Sequence, residues 1–341
     1  VTPSRDERPR TIEIGGRAVA PGERLRFDLP VARLPTHTQL EIPLTVLNGT
    51  RAGPVLWLSA AVHGDELNGV EIITRTLERL DAPLRRGALV AAPVVNVFGF
   101  IGQSRYLPDR RDLNRSFPGS RTGSLASRIA HLFMTEVVSR CTHGIDLHTA
   151  AQARTNLPHV RGDLRDPETR RIAEAFAAPV MLQSTVRDGS LRAAARRRGV
   201  PTILFEGGEP QRFDGPVIEV GVRGVLGVLH ALGMLGRRLH PRGRPSVELD
   251  HSRWVRARRG GLLRLTAREG ERVRAHQPLG TIADPFGEDE VSLVAPFDGL
   301  VLGHATNPVV HGGDAVVHLG RIGPPGPAPG PGRDEGAGPP A

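Results

Sequence analysis

The chain has no lysine: all 45 basic residues among its 341 are arginine. That excludes a carrier of any group attached through a lysine side chain. There is one cysteine, Cys141, so no disulfide can form within the chain. Cys141 ends a helical pattern, and a buried, unreactive thiol is its plain reading. Aromatic residues make up 4% of the chain, too few for the stacking platforms that grip single strands. No apolar run approaches the roughly 20 residues needed to span a bilayer. The first ten residues are charged and lack an apolar core, so no secretory signal is expected and the protein reads as cytoplasmic.

The formal charge is +9 and the sequence pI about 11.2. Such a balance raises a nucleic-acid or membrane-surface partner. The densest clusters are Arg196–Arg198 and the set Arg253, Arg256, Arg258 and Arg259. Because arginine replaces lysine everywhere, the excess reads as a composition bias on solvated surface. Neither a nucleic-acid nor a membrane partner is expected.

Composition then shifts along the chain. Residues 1–10 read as a disordered arm, and 11–20, 24–29 and 40–47 as strands punctuated by Pro21-Gly22 and Asn48-Gly49. From 55 onward apolar strands (55–62, 88–97, 144–148, 179–182, 202–206) alternate with helical patterns (68–80, 124–140, 167–177, 190–198, 216–235). That alternation predicts an α/β domain over 11–236 with a mixed, mostly parallel sheet flanked by helices. Residues 96–123 form a long connection, a length usually tied to function. After a linker at 237–245, short apolar runs separated by Gly, Pro and Asp predict a smaller β-rich domain over 246–322. The last stretch, 323–341, is nearly all Gly, Pro and Ala and reads as a disordered tail.

One stretch carries chemistry. The run 55–62 stops at His63, and Glu66 follows three positions later. In an open α/β sheet the strand ends deliver side chains to the ligand crevice. A catalytic zinc site takes three protein ligands and keeps one open position. His148 is the best third ligand among 13 histidines, because it also leaves a strand, after Gly144-Ile-Asp-Leu. His131 and His143 lie in or just after a helix. Asp146 and Asp65 are candidates for orienting a ligand, with no decision between this and a plain structural role.

In order, His63-Gly-Asp-Glu66, Arg105-Tyr106, Asp112-Leu-Asn-Arg-Ser-Phe-Pro-Gly119, Asp146-Leu-His148 and Phe205-Glu206 resemble the succinylglutamate desuccinylase/aspartoacylase family, whose fold is similar to that of zinc carboxypeptidases. The resemblance covers roughly 55–235. It implies one Zn2+ held by His63, Glu66 and His148. It implies Arg105, Asn114 and Arg115 around the substrate and Glu206 as general base. The implied reaction is hydrolysis of the amide of a small-molecule N-acyl amino acid. Better-known members place a tyrosine from the C-terminal part near the substrate; here the sole tyrosine is Tyr106.

The chemistry of the residues agrees. Zinc brings the pKa of bound water to about 7, and a carboxylate beside that water can carry its proton to a leaving nitrogen. Glu206 ends a strand and precedes Gly207-Gly208; Glu209 is its rival. Arginines suit a carboxylate through their planar fork. Arg110 and Arg111 are expected to pair with Asp109 or Asp112. In the C-terminal part, 294–301 and 309–317 resemble the barrel-sandwich shape of biotinyl and lipoyl carriers, but without a lysine the shape stays and the role goes. Covering the active-site mouth or making a subunit contact is its expected use, which leaves room for a homo-oligomer. The alternatives to an amidohydrolase are a zinc carboxypeptidase acting on short peptides and a non-catalytic binding protein on the same fold.

Overall fold

The computed structural model describes residues 8–81, 83–184, 188–239 and 245–322. Most of the expected arm, the middle of the expected linker (240–244) and the whole Gly/Pro tail (323–341) lie outside the described residues.

The N-terminal residues form a hairpin, β1 (Ile12–Ile14) and β2 (Arg17–Val19), which the sequence pattern had suggested as a single strand. Gly15 and Gly16 sit at positive φ between them, where glycine is the easy choice. Two ten-residue antiparallel strands follow, β3 (Arg24–Arg33) and β4 (Gln39–Asn48). Next come β5 (Val55–Ala60), α1 (Asn68–Arg79) and β6 (Ala88–Ala92). β6 ends five residues before the apolar run does, at Pro93, which cannot donate to a ladder. Residues 93–96 are irregular, and a short helix follows, α2 (Val97–Ile101), capped by Asn96 accepting from Gly99 N at 2.9 Å. The long connection is therefore partly built, with a further 3-10 turn over Leu113–Arg115.

The chain continues through α3 (Leu125–Glu136), β7 (His143–His148), β8 (Arg154–Asn156), β9 (His159–Gly162), α4 (Pro167–Phe176), β10 (Val180–Gln183), α5 (Leu191–Arg197), β11 (Thr202–Glu206) and α6 (Gly215–Ala231). Helix starts follow local chemistry. Asp166 caps α4 through Thr169 N at 2.7 Å with proline in the first turn, and Asp214 caps α6 through Val217 N at 3.1 Å in the same way.

β6, β5, β7 and β11 are parallel neighbours; β9 enters antiparallel beside β11, and β10 is parallel to β9. β5 shows how one strand feeds two cores. Leu56, Leu58 and Ala60 face the layer of α1, α4 and α6, while Trp57 faces the layer of α3 and α5. Trp57 meets Phe133 edge to face at 6.1 Å. A Cβ on Gly144 would lie 2.2 Å from the Trp57 ring, so the neighbouring strand needs a glycine there.

The C-terminal strands are β12 (Val247–Arg256), β13 (Gly261–Leu265), β14 (Arg272–Val273), β15 (Pro278–Ala283), β16 (Glu290–Val294), β17 (Gly299–Ala305), β18 (Val309–Val310) and β19 (Ala315–Ile322). β12 begins parallel to β10 at Val247 and continues antiparallel to β19 as far as Arg256. The long sheet thus runs on through β12, β19, β17 and β14. A second, four-stranded antiparallel sheet, β16-β15-β13-β18, shares an apolar core with its far end through Leu263, Leu279, Ile282, Val301 and Leu319. Among the described residues no helix is long and apolar enough to cross a membrane.

Candidate active site

Parallel pairing aligns three strand ends. Ser59 of β5 sits opposite Asp146 of β7, and Glu206 of β11 opposite His148. Beyond β5 the backbone turns at Ala61 with φ +47°, an uncommon conformation for a residue with a Cβ. Gly64 then packs against the start of α2. A Cβ there would lie 1.9 Å from the carbonyl carbon of Gly99, so only glycine allows this approach. The turn places His63 and Glu66 beside the end of β7.

His63, Glu66 and His148 are buried, and one potential ligand atom from each lies within 4.8 Å of the others. Glu66 accepts from both rings, with Oε1 2.6 Å from His63 Nδ1 and Oε2 2.7 Å from His148 Nδ1. The far nitrogen of His148, Nε2, is 2.8 Å from Asp146 Oδ2, and Ser59 Oγ donates to Asp146 Oδ1 at 2.5 Å. A carboxylate behind a histidine fixes its tautomer and leaves the other nitrogen to face a metal. His63 Nε2 lies 3.3 Å from Asp112 Oδ1, close enough for charge attraction but not aligned as a hydrogen bond.

Charge follows this geometry. Burial would raise the Glu66 carboxyl, but the two imidazoles outweigh it and hold it far below the usual carboxylate range. Burial would lower His148, but Asp146 and Glu66 lift it well above its ordinary value. His63 is raised against burial by Glu66 and Asp112. Buried carboxylates around two imidazoles attract positive charge, and a set of two histidines and one glutamate matches the ligand chemistry of catalytic zinc. The residues fit a divalent ion held by His63, Glu66 and His148.

Glu206 stands beside this trio. Asn156 Nδ2 donates to its Oε2 at 2.7 Å and Arg161 Nη1 to its Oε1 at 2.9 Å. Burial would raise its carboxyl, but Arg161, His159 and His148 hold it below its ordinary value. Glu209 turns instead toward Arg212, with oxygen and nitrogen 3.6 Å apart.

Arg105 reaches the trio through Nη1, 3.4 Å from Glu66 Oε1, while its Nη2 donates to Asp112 Oδ2 at 3.0 Å. Asp112 is thus the partner of Arg105 and His63, not of Arg110 or Arg111. Arg111 pairs with Asp109 as expected, at 3.7 Å. Asn114 accepts from Leu191 N at 2.9 Å, tying the loop to the start of α5, and Arg115 bonds the Asn114 carbonyl at 2.5 Å. Tyr106 is half exposed and outside the cavity lining. The Asp65 backbone carbonyl accepts from Gln211 N at 2.7 Å, and burial and the nearby Glu66 raise its side-chain carboxyl above the ordinary value.

All seven proposed site residues line one cavity of about 980 Å³. Sequence reasoning missed much of its wall. Arg154, Arg161 and Arg192 come from β8, β9 and α5, and β12 and β19 add Trp254, Arg256 and His318. Trp254 stacks on His318 with centroids 4.7 Å apart, and Arg154 lies 4.8 Å from the Trp254 centroid. Burial, with help from His159 and Arg161, pushes His318 down to about 3, so its ring is neutral in that stack. No local pattern marks these residues, because their strands are ordered by the fold and not by proximity in the chain.

Comparison with known proteins decides the family. Residues 52–232 match the model of the succinylglutamate desuccinylase/aspartoacylase catalytic domain, just over half of the chain. The chain belongs to that family. The family likeness extends beyond the matched segment. The N-alpha-acetyl-L-2,4-diaminobutyric acid deacetylase of Halomonas elongata is 27% identical over 294 residues, covering 82% of this chain and 86% of that one. A succinylglutamate desuccinylase/aspartoacylase structure from Rhodobacter sphaeroides is 29% identical with a TM-score of 0.78, covering 89% of this chain and 96% of the other. The product-bound ectoine utilization protein EutE (DoeB) of Ruegeria pomeroyi shares the fold at a TM-score of 0.80 and 22% identity, covering 94% and 100%. These solved structures span the C-terminal β-strands as well as the family segment.

Proposed function

We propose that this chain is a zinc-dependent amidohydrolase that cleaves an N-acyl amino acid into a carboxylate and a free amine. The observation that carries the reading is the convergence of His63, Glu66 and His148 beside an ionised Glu206 in an arginine-walled cavity. Membership of the family and the likeness to a deacetylase support amide hydrolysis over other uses of such a site.

His63, Glu66 and His148 would hold the zinc, which would supply Lewis acidity and bring the pKa of a water there to about 7. Glu206, held ionised by Arg161, is the base that takes a proton and returns it to the leaving nitrogen. Arg105 stands between Asp112 and the trio, placed to meet charge that develops on the amide oxygen. Arg115 and Asn114 offer donors to the substrate carboxylate from a loop tied to α5. Ser59 and Asp146 keep the His148 ring in one orientation.

The test is a panel of N-acetyl and N-succinyl amino acids and short peptides, assayed with zinc-loaded wild type and Glu206→Gln. Wild type is expected to release free amine from the N-acyl amino acids. The variant is expected to lose about 10²–10⁴-fold in kcat, the usual contribution of a general base. Equal inertness of both proteins on every substrate, with metal bound, contradicts the reading. Preferential cleavage of the peptides moves it to a carboxypeptidase.

A further inference from the structure

Glu206 is held by two donors, and one of them depends on the C-terminal strands. Asn156 is buried at 6% exposure and ends β8. Its Nδ2 donates to Glu206 Oε2 at 2.7 Å, which assigns the amide orientation, since a carboxylate only accepts. Its Oδ1 is left buried with no hydrogen-bond donor. An unmet buried acceptor is costly, and a native site keeps such a cost where the group serves another purpose.

The backbone of Asn156 is fixed from two sides. On one side it exchanges bonds with Gly208, two residues past the base: Gly208 N donates to Asn156 O at 2.8 Å and Asn156 N to Gly208 O at 3.3 Å. On the other side β8 pairs with β17, Asn156 opposite Gly303, and Leu157 N donates to Leu302 O at 2.8 Å. The approach of β17 is close. A Cβ on Gly303 would lie 2.3 Å from Thr155 O and 2.4 Å from Asn156 Oδ1. Gly303 lies outside the cavity lining; it stands between Asn156 of β8 and His318 of β19, and a side chain on it would press on β8.

We propose that Asn156 is a positioning residue for Glu206, and that β17 seats Asn156 so that the C-terminal strands set the aim of the base. This rests on the hydrolytic reading above for its kinetic consequence, but not for its structural one. The C-terminal region then forms part of the reaction centre and is more than a cover over its mouth.

Two kinds of measurement test it. Asn156→Asp keeps size and shape and replaces the donor with an acceptor; Gly303→Ala presses on β8 from outside the cavity. With zinc-loaded protein and the best substrate of the panel, Asn156→Asp is expected to lower kcat about 10- to 100-fold, the usual consequence of a displaced reacting group. KM is expected to stay within about threefold, since neither the trio nor the arginines change. Gly303→Ala is expected to lower kcat by a smaller factor, again with KM nearly constant. Crystal structures of both variants are expected to show the Glu206 carboxylate moved off position 156. An unmoved carboxylate in both, or a kcat within twofold of wild type in both, overturns the proposal. A rise in KM as large as the fall in kcat also overturns it, because Asn156 then binds substrate directly. If wild type hydrolyses no N-acyl amino acid, the functional reading fails, while the crystal structures still decide whether Asn156 and β17 aim Glu206.

Discussion

His143 and His148 stand at opposite ends of one buried strand, β7, and each faces a glutamate: Glu168 at 2.6 Å and Glu66 at 2.7 Å. Burial and a carboxylate partner are common to both. The difference lies in what else arrives. At the amino end Thr142 takes the second nitrogen of His143 at 2.7 Å, and Arg171 neutralises Glu168. That end holds one carboxylate shared by His143 and Arg171, and it too borders a cavity, of about 600 Å³. At the carboxyl end His63, Asp146 and Asp112 crowd the same few ångströms, and a cavity opens in front. What sets the carboxyl end apart as a candidate metal site is convergence of ligand atoms, which one strand cannot encode alone.

The sharpest break between the two ends is activity. His148→Ala is expected to abolish the proposed hydrolysis to the assay limit, at least 10²-fold, because it removes a proposed zinc ligand. His143→Ala is expected to leave kcat within a factor of about two. Next in size is Asp146→Asn, which keeps the shape behind His148 and removes the charge. A 10- to 100-fold weaker metal affinity is expected, read by competition with a chelator of known affinity. Smaller again, His143→Ala is expected to cost about 1–2 kcal/mol of stability by urea denaturation, the scale of a lost buried hydrogen bond. Equal metal affinities in Asp146→Asn and wild type would erase the orienting role given to Asp146.

The smallest effect is pH dependence at the amino end. The Arg171 and His143 partners hold Glu168 down at about 2, against an ordinary 4.5. A carboxyl depressed on folding stabilises above its unfolded pKa and loses that contribution as pH falls through its folded one. The stability gap between wild type and Glu168→Gln is therefore expected to be full at pH 6 and to shrink from about pH 4.5 toward 2. Its size is expected below about 1 kcal/mol, because Glu168 is partly exposed and solvent screens the pair. Urea midpoints at pH 6 and pH 3 check it.

Much of this architecture was legible in the sequence because the local signals and the fold agree. Apolar runs that stop at His63, His148 and Glu206 are strands of a parallel core, and parallel strands end on the same edge. The missing parts are long-range. β8 and β9 are short strands of three and four residues, with no apolar period to betray them. Asn156 and Arg161 sit on these strands, and β8 finds its partner in β17, far along the chain. Asp112 lies beside Arg110 and Arg111 in the chain but turns to Arg105 and His63, since the loop folds back on the trio. The C-terminal wall depends on β12 changing partners from β10 to β19, a switch that hydrophobic pattern does not record.

Bound metal decides whether His63, Glu66 and His148 act as one site. Wild type, His148→Ala and His143→Ala are purified with zinc, dialysed against metal-free buffer and analysed by mass spectrometry for bound metal. About one zinc per chain is expected in wild type and His143→Ala, and little in His148→Ala, as a three-ligand site requires. Equal retention in the two variants would contradict it.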